Sequence, residues 1–109
     1  MRHCLALDLK DNVDSIAEYE RWHDSIWPEI LESIRDSGIT KMEIYRAGNR
    51  LFMIMETLDD FSFERKARLD RDNERVQEWE KLMWNYQQAL PFAVPGEKWV
   101  PMKRIFSLD

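Results

Sequence analysis

The sequence contains few of the residues that most often mark a chemical function. Its 109 residues include one cysteine, two histidines and three glycines. Cys4 cannot form an intrachain disulfide, and no GxGxxG or GxxxxGK[ST] loop for a dinucleotide or a nucleoside triphosphate occurs. His3 and His23 lie far apart, and there is no CxxC or HxxxH pair, so no metal site is predicted. We therefore expect neither a metal nor any other cofactor.

The sequence also lacks long apolar runs and an excess of basic charge. Neither a signal peptide nor a membrane span is predicted, so we expect a cytoplasmic protein with no membrane partner. Its 21 acidic and 16 basic residues give a formal net charge of −5. Such a charge repels polyphosphate, so nucleic acid is not an expected partner. The length suits a single domain over residues 1–109.

The first third of the chain predicts a strand followed by a broken helix. Leucines alternate with small or polar residues over residues 3–10, which is typical of a strand. A helix capped by Asn12 or Asp14 follows, and Pro28 ends it because proline lacks an N–H and its ring clashes inside a helix. We expect a second helical piece, capped at residue 24 or 25, to begin there and to end at Gly38.

The middle of the chain predicts a β-hairpin with one strand that is apolar on both faces. Strands over residues 41–47 and 50–57 are joined at Gly48-Asn49, a pair that tolerates the positive φ of a tight turn. In the second strand one face carries Leu51, Met53 and Met55, and the other carries Phe52 and Ile54. A helix layer covers only one face, so we expect a second copy of the sheet to cover the other in a homodimer.

The last third predicts a helical region and a final strand. The helical region is capped by Asp59 or Asp60, is interrupted at residues 70–73, and resumes in an apolar stripe from Val76 to Leu90. Prolines end this helix, and residues 98–106 are expected to form a strand. The order strand, helix, strand, strand, helix, strand predicts an α+β domain of the ferredoxin-like βαββαβ type.

The segment EYERWHDSIWPE, residues 18–29, is the most informative in the chain. Tyr19, His23 and Trp27 recur with isoleucines at three- and four-residue steps, so His23 faces inward on an apolar helix face. An imidazole exchanges protons near neutral pH, although a lone inward histidine is also common as a structural residue. Because metal, phosphate-loop and cysteine chemistry are disfavoured, proton transfer by His23 and Tyr19 remains, with Glu56 or Glu80 in reserve.

These residues, together with the segments IYRAGNRLFMIMET and VQEWEKLM, resemble the L-rhamnose mutarotase family, and the similarity is nearly collinear from the first strand to the last. Members are small cofactor-free enzymes that interconvert the α and β anomers of a 6-deoxyhexose. The resemblance implies a dimeric α/β barrel and a monosaccharide held between sheet and helices. It also implies a proton donor at His23, a sugar-binding phenol at Tyr19, and at Trp79 the first residue of a tryptophan pair that flanks the sugar.

Two positions depart from the family pattern. Glu80 occupies the place of the second tryptophan, and Met42 replaces a sugar-contacting tyrosine on the second strand. L-Rhamnose and L-fucose differ in the orientation of their hydroxyl groups, so a lost phenol and a gained carboxylate would redirect hydrogen bonds. The sequence therefore leaves both sugars open as substrates, with Met42 and Glu80 either as the residues that distinguish them or as neutral changes at the rim of the pocket.

Two other functions remain open on sequence grounds. The same dimeric barrel hosts small oxygenases that act on haem or quinols, in which His23 would be an axial ligand or a base. A non-catalytic binding or sensing domain would leave His23 with a structural role. Opening a sugar ring needs one acid and one base and no cofactor. The resemblance favours this mutarotase interpretation.

Overall fold

Nine short elements make up the chain, which a computed structural model describes over all residues, 1–109. The first half contains strand β1 (Arg2–Leu9), helices α1 (Val13–Asp24) and α2 (Pro28–Asp36), and the hairpin strands β2 (Ile39–Ala47) and β3 (Arg50–Thr57). The second half contains helices α3 (Phe63–Arg71) and α4 (Glu74–Trp84), followed by the two-residue strands β4 (Gln87–Gln88) and β5 (Val100–Pro101).

The strands form one sheet in the order β2-β3-β1-β4, and β5 also pairs with β1. All the pairings are antiparallel. β3 therefore lies between β1 and β2, the two strands that the first helical connection joins, which is the split βαβ arrangement. The predicted ferredoxin-like α+β fold is confirmed, with each of its two helical regions divided into two helices.

The break between α1 and α2 lies where the sequence predicted it. Asn12 caps α1, its side chain accepting a hydrogen bond from the Ser15 N–H at 3.0 Å. Pro28 stands in the first turn of α2, where its missing N–H costs no helical bond. The predicted cap of α2 at residue 24 or 25 is wrong, because Ser25 ends α1 and Trp27 precedes α2 without a side-chain hydrogen bond.

One face of the sheet packs on the helices and carries most of the core. On β1 the inward residues Leu5, Leu7 and Leu9 are buried, and Leu51 on β3 packs with helical residues in the largest core cluster. The opposite face, which we call the outer face, carries the alternate residues of the strands. Phe52 there is only partly buried. The two-faced apolar strand predicted from the sequence is therefore present as β3.

The last third differs from its prediction. Ser62, not Asp59 or Asp60, caps α3, and α4 ends at Trp84 instead of continuing to Leu90. Residues 87–88 pair with the free edge of β1, so backbone bonding to the sheet replaces further helical turns. The predicted strand over residues 98–106 is reduced to Val100–Pro101.

Two causes shorten that final strand. Proline donates no backbone hydrogen bond, and β4 already occupies the other end of the same edge of β1. None of the helices has the length and apolar character needed to cross a membrane.

Candidate active site

A cavity of about 420 Å³ lies between the inner face of the sheet and the helices. Of the 22 residues that line it, 15 are hydrophobic. This volume and this lining are typical of sites for small molecules, in which a few polar groups stand among apolar walls. The cavity wall includes five of the six residues that the sequence named for a site: Tyr19, His23, Met42, Trp79 and Glu80.

Three elements bring these five side chains to one cavity. Tyr19 and His23 lie one turn apart on α1 and so share a helix face. Trp79 and Glu80 come from α4, and Met42 comes from β2, on the strand face that the helices cover. Helices and sheet thus each contribute part of the wall, as the family resemblance implied.

The protonation pattern of His23 follows from one contact with the helix backbone. Its Nδ1 lies 2.8 Å from the carbonyl oxygen of Tyr19. A carbonyl oxygen only accepts hydrogen bonds, so Nδ1 carries a proton and donates it. In the neutral ring, Nε2 therefore holds the lone pair, and no protein group hydrogen-bonds to it. Nε2 is the nitrogen of His23 that remains available for proton exchange with a ligand.

Aromatic neighbours fix the plane of the His23 ring. The ring centroid lies 4.4 Å from that of Tyr19 and 5.9 Å from that of Trp79. Trp79 in turn packs edge-on against Trp22 and Trp27, at centroid distances of 6.2 and 5.0 Å. Contacts on several sides restrict the rotamers of the imidazole. A pre-oriented group of this kind is what efficient proton transfer requires.

Tyr19 is a buried phenol with one hydrogen bond to its hydroxyl group. The residue belongs to the core and is 4% exposed. Gln87 Nε2 donates to the phenolic oxygen at 3.5 Å. Burial raises the pKa of Tyr19 to about 12, and the hydrogen bond from Gln87 opposes the rise. The phenol is therefore neutral at physiological pH, and its hydroxyl can form hydrogen bonds.

Charged side chains stand at other parts of the cavity wall. Lys66 and Asp70 form an ion pair one turn apart on α3. Lys98 donates a hydrogen bond to the backbone carbonyl of Glu80 at 3.4 Å. Burial lowers the pKa of Lys98, and the nearby negative charge of Glu80 opposes that shift. The carboxylate of Glu80 has no ion-pair partner within 4.0 Å, so it is free to accept hydrogen bonds from a ligand.

Two outcomes differ from the sequence-based expectations for the site. Glu56, held in reserve as a proton acceptor, lies outside the cavity and pairs with Arg2 at 2.9 Å. Gln87, Lys66 and Lys98 line the cavity but were not predicted, because nothing in their sequence context distinguishes them from surface residues. No group of three or more His, Cys, Asp or Glu side chains is placed to hold a metal ion.

Comparison with known proteins adds to this geometry. A model of the L-rhamnose mutarotase family matches residues 2–108. The chain belongs to the L-rhamnose mutarotase family. A relative from Xanthomonas campestris named L-fucose mutarotase is 47% identical, over 99% of this chain and 88% of its own. A relative from Enterobacter sp. named L-rhamnose mutarotase is 32% identical, over 95% of this chain and 96% of its own. The family resemblance read from Tyr19, His23 and the neighbouring residues is thereby confirmed.

The fold has a solved counterpart in the same family. The crystal structure of L-rhamnose mutarotase from Formosa agariphila superposes with a TM-score of 0.73 and covers 100% of this chain and 99% of its own. The identity between the two is 22%, so this likeness concerns the fold alone. It agrees with the overall fold described above.

Proposed function

We propose that this member of the family interconverts the α and β anomers of a 6-deoxyhexose, with L-fucose as its preferred sugar. The position of His23 is the main observation that supports this proposal. It lines a cavity large enough for a small molecule, and the Tyr19 carbonyl engages its Nδ1. The remaining nitrogen, Nε2, is the proton-exchanging group that mutarotation needs.

The proposed reaction exchanges one proton between two oxygens of the same carbon. Nε2 of His23 takes the proton from the anomeric hydroxyl, the bond between the anomeric carbon and the ring oxygen breaks, and His23 gives the proton to that ring oxygen. The open-chain aldehyde rotates about the bond next to it. The same steps in reverse close the ring on the other face, so His23 accepts and then donates the proton in each half of the reaction.

Tyr19 assists this reaction as a neutral hydrogen-bonding group. Because burial raises its pKa to about 12, its hydroxyl stays protonated and can donate to a sugar oxygen. A donor placed at the ring oxygen stabilises the negative charge that develops there as the ring bond breaks. Trp79, buried beside His23 in the cavity wall, provides an apolar surface for one face of the sugar ring.

The preference for L-fucose follows from Met42 and Glu80. Met42 offers no hydrogen bond where rhamnose-specific members have a phenol, and Glu80 presents a carboxylate without an ion-pair partner. A hydroxyl left unpaired in a site of this kind weakens binding by about 1–3 kcal/mol. The 47% identity to a relative named L-fucose mutarotase, against 32% to one named L-rhamnose mutarotase, supports the same choice.

The protein is proposed to act as a homodimer joined through the outer face of the sheet. That face carries Phe52 and Ile54 on β3 and Ala6 on β1, all partly buried in a single chain. No helix of the same chain packs there, so a second copy of the sheet would remove the remaining apolar surface from water. A cytoplasmic location is proposed with it, consistent with the single free Cys4.

Polarimetry tests the proposed function. Freshly dissolved α-L-fucose and α-L-rhamnose change optical rotation as they approach anomeric equilibrium. Catalytic amounts of the protein should shorten the time to anomeric equilibrium for both sugars, and the reduction should be larger for L-fucose. Unchanged time courses for both sugars would reject the function.

A further inference from the structure

Gln87 is a buried polar residue of the cavity wall to which the mechanism above gives no role. It is 6% exposed and lies on β4 opposite Leu9 of β1. Its Nε2 donates to the Tyr19 hydroxyl, while its Oε1 is buried and has no hydrogen-bond partner in the protein. A methionine would fill a similar volume without burying an unpaired oxygen, so stability does not explain a glutamine at this position.

The hydrogen bond from Gln87 sets the direction in which the Tyr19 hydroxyl donates. A phenolic oxygen has one proton and two lone pairs. The N–H of Gln87 donates to one lone pair of the Tyr19 oxygen, so the phenolic proton takes no part in the hydrogen bond between the two residues. The hydroxyl makes no other hydrogen bond in the protein. The opposite amide orientation would take the proton on Oε1 and leave the phenol able only to accept. The orientation of the Gln87 amide therefore decides whether the Tyr19 proton is available to donate to a ligand.

We propose that Gln87 is a positioning residue, which holds the Tyr19 hydroxyl as a hydrogen-bond donor to an oxygen of the bound sugar. This inference rests on the proposed function, since it requires a hydroxylated ligand in the cavity. Gln87 acts through Tyr19 and transfers no proton itself. A buried polar group left partly unpaired in the free protein is typical of a residue kept for a ligand instead of for stability.

Three variants test the positioning role. Gln87→Met keeps the side-chain length and removes both polar groups, and Gln87→Glu keeps the shape but replaces the donor with an acceptor. Gln88→Met is the matched control, because Gln88 is the next residue of β4, is exposed and does not line the cavity. We expect both Gln87 variants to raise the KM for L-fucose roughly tenfold or more. Gln88→Met should leave KM unchanged.

Three further readouts separate positioning from a structural role. The melting temperature of Gln87→Met should equal or exceed that of the wild type, because the variant no longer buries an unpaired oxygen. In a Tyr19→Phe background, Gln87→Met should cause no additional rise in KM, because its effect passes through the phenol. The ¹³Cζ resonance of Tyr19, which reports hydrogen bonding at the hydroxyl, should move in Gln87→Met.

The possible results distinguish this inference from the proposed function. An unchanged KM in both Gln87 variants, or a lower melting temperature in Gln87→Met without a change in KM, would overturn the positioning role. A wild-type protein that accelerates neither L-fucose nor L-rhamnose anomerisation would reject the proposed function. In that case an unchanged Tyr19 resonance in Gln87→Met would overturn the positioning role independently of any sugar.

Discussion

Replacing His23 by asparagine should abolish most of the activity while preserving the local structure. The imidazole Nδ1 lies 2.8 Å from the Tyr19 carbonyl oxygen, and the side-chain amide of asparagine places an N–H donor near the same position. That hydrogen bond can therefore be kept, whereas the basic nitrogen Nε2 is lost. His23→Asn thus separates proton transfer from helix structure better than a truncation to alanine does.

The size of the loss follows from the role assigned to the residue. A well-placed general acid or base contributes roughly 10²–10⁴ in rate, which corresponds to about 3–5 kcal/mol of activation free energy. The stability change should be smaller, at about 1 kcal/mol, because His23 is only partly buried. A large fall in kcat with a small change in unfolding free energy is therefore expected.

The assay is the rate of exchange between the anomers of L-fucose, measured beside urea unfolding of the same samples. His3→Asn is the control, because His3 packs on Phe61 and Phe63 and does not line the cavity. It should retain wild-type exchange. If His23→Asn keeps activity within a few-fold of the wild type, His23 is structural and the proposed mechanism is wrong.

Three other outcomes are expected. Because the pKa of Tyr19 is raised from 10.0 to about 12 in the folded protein, its contribution of up to about 3 kcal/mol to the unfolding free energy should be present below pH 10 and be lost as pH rises from 10 to 12; an equal fall of the unfolding free energy in the wild type and in Tyr19→Phe, measured by urea titration, would contradict this. Sedimentation at micromolar concentration should give a dimer for the wild type and a monomer for Ile54→Arg, and a wild-type monomer would refute the interface. The double variant Met42→Tyr with Glu80→Trp should shift preference toward L-rhamnose by roughly tenfold, and an unchanged ratio of exchange rates would show that these positions do not set specificity.

The parts of the fold that were predicted correctly are those whose signals are local. Alternation in β3 gave Leu51, Met53 and Met55 as one buried face, and Pro28 marked the break between α1 and α2. The end of α4 was not predictable in this way. Tyr86 and Leu90 continue the helical apolar period, but residues 87–88 pair with β1 far away in sequence. Local periodicity does not show that a distant strand has an unpaired edge to which such a segment can hydrogen-bond.

In the candidate site, too, the residues with local signals were predicted and those defined by long-range contacts were not. Tyr19 and His23 were found because they share one helix face and match a family pattern. Gln87 was missed because its contact with Tyr19 joins residues 68 positions apart, and a glutamine in a polar stretch is usually at the surface. The tautomer of His23 likewise required the observed contact of Nδ1 with a carbonyl oxygen.

Saturation transfer between the anomeric protons of L-fucose tests the central claim most directly, since it detects exchange at equilibrium. One anomeric resonance is saturated, and the loss of intensity at the other is followed with and without catalytic amounts of the wild-type protein. The proposed function predicts strong transfer with the protein and a weaker effect on L-rhamnose. Transfer for both sugars no greater than in buffer alone would contradict it.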